Sequence, residues 1–124
     1  MANQGSTDEF RASLAAMFFE NMTTGPLTVE FGDGGHEEDD TPKPFDPAQT
    51  EMGNSLLSKA PEAFSMPDDW SIQVTGKLEQ SELIGEAVSE FGIFLDGSLI
   101  AFRNSAKKIK DSDEEYPITI TIYF

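Results

Sequence analysis

The chain contains no cysteine and one histidine. Disulfide staples, thiolate zinc sites and a cysteine nucleophile are therefore excluded, and a single chain cannot assemble a poly-histidine metal centre. Positive charge is scarce as well. Eight Lys and Arg stand against 23 Asp and Glu, a formal charge of −15. So acidic a surface repels phosphate backbones and anionic head groups, which argues against nucleic-acid and membrane-surface partners and in favour of neutral or basic proteins, or cations. Long apolar runs are missing too: the longest, Leu14 to Phe19, is far too short to span a bilayer. The opening MANQGSTDEF has neither a basic start nor an apolar stretch, so no signal peptide is expected and the default location is the cytoplasm of the producing cell.

What remains suits a folded protein. With 124 residues, 38% of them hydrophobic and ten of them Phe, the chain is expected to form a single domain, residues 1–124, with one core. Ser6 and Glu9 stand in capping-box spacing, and Phe10, Leu14, Met17 and Phe18 recur at helical spacing, which predicts a first helix with those four on its buried face. Thr23 to Pro26 ends it. Leu27, Val29 and Phe31 alternate with polar residues, as in a short strand. The stretch from Gly32 to Pro44, GDGGHEEDDTPKP, reads as an exposed loop. Asp46, Pro47 and Gln49 then predict a second short helix, with Met52 and Leu56 inward, that ends near Ala60.

The second half reads as β. Ile72, Val74, Gly76 and Leu78 share one face of a strand at Ser71 to Leu78. Glu86 to Phe94 and Ser98 to Phe102 flank Asp96-Gly97, a strong two-residue hairpin signal. Ser105 to Glu115 reads as a polar connection. Ile118, Ile120, Ile122 and Phe124 alternate with Thr119, Thr121 and Tyr123 in a last strand. Its composition suits a paired strand, and Ile118, Ile120, Ile122, Tyr123 and Phe124 are candidates for docking a partner. The expected fold class is α+β, two short helices on a mostly antiparallel sheet of about five strands.

Candidate chemistry is thin. His36 lies in a glycine-rich acidic loop without an adjacent nucleophile, so no catalytic residue is assigned and an enzyme is not expected. Asp33, Asp39 and Asp40 are weak metal-ligand candidates, because neither acidic cluster has the ligand spacing of a calcium loop. The glycines of GDGG are followed by acids and no lysine, which excludes a phosphate loop, and no cofactor is expected. Lys107, Lys108 and Lys110 precede DSDEE and form a charge dipole in place of a basic patch.

Several stretches in order nonetheless resemble a known family. Gly32-Asp33-Gly34, Thr41-Pro42, Asp46 to Thr50, Val88 to Phe94, Asp96-Gly97 and Leu99 to Ala101 are similar to the amino-terminal domain of bacteriophage tail-collar and tail-fibre proteins, over roughly residues 27 to 105. The resemblance implies a structural protein of a phage tail or related contractile particle, made in the host cytoplasm and carried in the virion, in several copies or as a homo-oligomer. It would act as a baseplate or collar component or fibre-attachment adaptor, with other tail, baseplate or fibre proteins as partners. The sequence lacks the shaft and tip of longer members, so the expected role is attachment or assembly and not receptor binding. Two alternatives follow from charge and context: an acidic DNA mimic that inhibits a nucleic-acid-binding protein, and a tail assembly factor absent from the virion. The acids crowd into two loops instead of spacing regularly along helices, which disfavours the mimic.

Overall fold

The computed structural model describes residues 3–124, and among these one helix and seven strands form two antiparallel sheets. Helix α1 (Asp8–Thr24) is followed by β1 (Leu27–Gly32), β2 (Ser55–Lys59), β3 (Ala63–Asp68), β4 (Ser71–Leu78), β5 (Ala87–Leu95), β6 (Ser98–Ile109) and β7 (Tyr116–Tyr123). Strands order as β2-β1-β5-β6 in one sheet and β3-β4-β7 in the other. The protein is thus mostly β, and the expected α+β fold, with two helices on one sheet of about five strands, is corrected.

Alternation explains the core. Val29 pairs with Ile93 and Phe31 with Phe91, so four apolar side chains of β1 and β5 lie on one face of the larger sheet. Ile72, Val74, Leu78 and Ile118 of the smaller sheet join the same buried cluster. Gly76 leaves room for a ring of the facing sheet: a Cβ there would lie 2.4 Å from a ring carbon of Phe91. The Phe31 and Phe91 rings meet in tilted geometry, 5.0 Å apart. Helix α1 closes this core with Ala15 and Met22, while Phe19 meets Phe64 of β3 and Phe18 meets Phe124.

Local signals were followed where nothing competed with them. Asp96 and Gly97 have φ of 51° and 81°, the left-handed pair required by a two-residue hairpin between β5 and β6. Thr7, not Ser6, caps α1 by accepting the Phe10 amide at 3.2 Å. The helix expected from Asp46 is absent. Asp46 does accept the Ala48 amide, at 2.9 Å, but only a single turn follows. The amides of Gly53 and Asn54 are engaged elsewhere, and Ser55–Lys59 pairs with β1. The polar connection expected from Ser105 is also corrected. β6 runs on to Ile109, because Lys108 and Ile109 pair with Val88 and Ala87 beyond a bulge.

Ionic contacts tie the loops to the sheets. Lys77 on β4 reaches Glu115 at 2.8 Å, Glu62 at 3.5 Å and Glu79 at 3.6 Å. Its hydrogen bond to Glu115 raises the ammonium's pKa and lowers that of the carboxyl. Lys59 reaches Glu82 at 2.6 Å. Burial works to raise the Glu82 pKa, but the Glu79 amide and Lys59 together outweigh it and hold the carboxyl below its usual range. Lys110 is fully buried and donates to the backbone oxygens of Gln80 and Asp111 at 3.2 and 2.9 Å.

Two outcomes test this packing. Gly76→Ala is expected to destabilise the fold by about 1–3 kcal/mol in chemical denaturation, because the Phe91 ring must shift. Lys77→Met is expected to return the Glu115 carboxyl toward its ordinary range, as read by NMR titration. The depressed carboxyl contributes stability above its unfolded pKa and loses it as pH falls through the folded value. The raised ammonium contributes below its unfolded pKa and loses it at alkaline pH. Wild type and variant should therefore differ most between roughly pH 5 and pH 10 and converge in acid.

Candidate partner-binding surface

The glycine-rich loop is anchored to β5 by a buried carboxylate. Glu90 is 2% exposed, and its Oε1 accepts the amides of Asn54 at 2.7 Å and Gly34 at 3.2 Å, while Oε2 accepts the Gly53 amide at 2.9 Å. A carboxylate removed from water requires such donors, and hydrogen bonds to a charged acceptor are stronger than neutral ones. Here the backbone supplies three of them. Both ends of the segment between β1 and β2 therefore converge on one side chain, and Asp33 adds a hydrogen bond from the Asn54 side chain at 2.6 Å.

The glycines follow from that convergence. A Cβ at Gly32 would lie 2.2 Å from the Asn54 oxygen, at Gly34 2.6 Å from the Asn54 nitrogen, and at Gly35 2.2 Å from the Ser89 oxygen. None of the three has positive φ, so space and not conformation excludes other residues. Next to Glu90, the buried Ser89 hydroxyl accepts the Gly35 amide at 3.0 Å and lies 2.7 Å from His36 Nδ1. Gly32 and Gly35 are buried and His36 is half-buried, which corrects the reading of the first residues of this stretch as exposed, while Glu37 to Pro44 are exposed as expected. The serine beneath His36 is closed off from solvent, so the pair fastens the loop and offers no accessible nucleophile.

The structure disperses the weak metal candidates. Asp33 bonds Asn54, Asp39 accepts the amide and hydroxyl of Thr41, and Asp40 lies 3.9 Å from Lys107. Among the described residues, no three His, Cys, Asp or Glu side chains stand together as a cation site. The basic trio is split as well. Lys107 faces Asp40, Lys108 meets Glu114 at 3.2 Å, and Lys110 is internal.

The docking candidates on β7 divide between its two faces. Ile118 is buried, Ile120 and Ile122 are half-buried against the core, and Phe124 packs on Phe18. The Phe124 backbone oxygen accepts the Arg11 Nε at 2.8 Å, and its amide donates to the Trp70 oxygen at 2.8 Å. Tyr123 alone of the five points outward, at 79% exposure. By the antiparallel register, the Phe124–Trp70 bond turns the backbone groups of Thr119, Thr121 and Tyr123 away from β4, and among the described residues no strand pairs with that edge.

The largest deviation from expectation lies on α1. Phe10, Leu14 and Met17, expected to face inward, are 58%, 42% and 64% exposed, whereas Ala15, Phe18, Phe19 and Met22 make the inward contacts. The helix carries apolar residues on both faces. Periodicity alone cannot choose between such faces, because each is satisfied by 3.6-residue spacing. Sequence reasoning also missed Glu90 as the anchor. The available signal was a single charged residue inside the otherwise uncharged run Val88 to Phe94. In a strand buried on both faces, such a residue needs donors from elsewhere.

Glu90→Gln is expected to cost about 1–3 kcal/mol, because the amide presents a donor to backbone donors and leaves a buried group unpaired. Hydrogen exchange should quicken at Gly34, Gly53 and Asn54, with amides of β4 unaffected until global unfolding. No protein-family model matches the chain and no curated protein matches its sequence, so its functional reading rests on its own residues.

Proposed function

We propose that the chain is a protein–protein adaptor of a phage tail or related contractile particle, a baseplate, collar or fibre-attachment component. The observation that carries the adaptor reading is the exposed row Phe10, Leu14 and Met17 on an otherwise strongly acidic molecule. Exposed apolar surface set among polar residues is the usual mark of a binding surface, and charge around it governs orientation and encounter.

The tail assignment rests on the sequence resemblance. Two of the segments that carry it, Gly32-Asp33-Gly34 and Val88 to Phe94, meet at Glu90. Acidity is consistent with docking on basic protein surfaces and works against direct binding to nucleic acid.

Mass spectrometry of purified particles, with immunogold labelling, tests the assignment. The expected result is this chain in stoichiometric amounts at the tail end. Its absence from particles, with abundance in infected cells, would overturn the virion role and favour an assembly factor or inhibitor.

A further inference from the structure

The outward row on α1 has a more specific geometry than an apolar patch. Phe10, Leu14, Met17, Asn21 and Thr24 are spaced four, three, four and three residues apart, the spacing of a coiled-coil seam, and all five are exposed. Such a seam presents knobs and holes to a facing helix, and a polar Asn within it fixes register. The seam is bordered by Ser13 and Glu20 on one side and by Arg11 and Phe18 on the other. Arg11, the helix's one cation, is engaged by the Phe124 oxygen and Asp8. Glu9 and Glu20 take part in none of the ion pairs among the described residues.

The seam runs into a depression of about 320 Å³ lined by Asn21, Thr24, Gly25, Pro26, Leu95 and Asp96. Leu95 gives it an apolar wall. Asp96, at the hairpin tip, gives it an acidic rim outside every ion pair found among the described residues. A long apolar stem with a cationic head, as in Lys or Arg, matches that combination.

We propose that the α1 seam binds an amphipathic helix of another protein, with apolar residues at three- and four-residue spacing and Lys or Arg along its flanks. A second copy of this chain is the wrong occupant on charge. It would set Glu9, Glu20 and a surplus of fifteen negative charges against the same acids. The inference rests on the adaptor reading only for the kind of partner, and the two fail separately. Absence from particles would remove the tail assignment and leave the seam intact, whereas failure of the seam would leave the tail assignment standing.

The test is calorimetric titration of the full chain with a synthetic Leu/Lys heptad helix, beside a scrambled peptide of the same composition. One-to-one binding of the heptad peptide is expected, weakened roughly tenfold or more in Leu14→Asp/Met17→Asp. That variant is more acidic than wild type, so attraction by charge alone would instead strengthen binding. Its altered side chains are exposed, and circular dichroism verifies the fold. Should it fail to fold, Glu20→Gln/Asp96→Asn is the second variant, expected to lose affinity for the heptad peptide and not for the scrambled one. No binding by the heptad peptide, equal or tighter binding by the aspartate variant, or a wild-type dimer that this variant abolishes would each overturn the proposal.

Discussion

The buried carboxylate of Glu90 is the constraint around which the rest of the molecule is arranged. Placed in β5 between the buried Ser89 and Phe91, it must find donors, and it finds three backbone amides from two ends of the long segment between β1 and β2. That closes a connection of more than twenty residues into a fixed shape, the kind of long loop that is otherwise costly to hold. The glycine requirement follows directly. Gly32, Gly34 and Gly53 stand where any Cβ would meet backbone within 3 Å. Met52, at the end of this segment, is buried over Gly92, so the loop also covers part of the sheet face turned away from the core.

With that segment pinned, β2 is delivered to the edge beside β1, and the two sheets close on Phe31, Phe91 and Gly76. Helix α1 then covers the end of the core with Ala15, Phe18, Phe19 and Met22, and among the described residues has no further layer to pack against on its other side. The outward Phe10, Leu14 and Met17 are a consequence of this arrangement. Helix α1 is thus apolar on both sides and packed on one.

Strands with a local two-residue period were legible in the sequence. Ile72, Val74, Gly76 and Leu78 share a buried face as alternation requires, and Asp96-Gly97 makes its hairpin because both residues tolerate positive φ. What the sequence concealed depended on distant partners. Asp46 and Pro47 are a genuine turn signal, but the Gly53 and Asn54 amides that would have continued a helix belong to Glu90, 37 and 36 positions away and invisible to local pattern. Lys110 looks like one of three solvated lysines, yet two carbonyl oxygens let it be buried. The orientation of α1 could not be read because both faces carry the same period. The outward apolar row of α1 therefore became visible only when the inward face was known.

The central structural claim is that one side chain holds both ends of the loop. Scalar couplings across hydrogen bonds, from the amide nitrogens of Gly34, Gly53 and Asn54 to the side-chain carboxyl carbon of Glu90, test it most directly. Measurable couplings at all three amides are the expected result. Their absence, with Gly53 and Asn54 exchanging as fast as an unstructured loop, would contradict it.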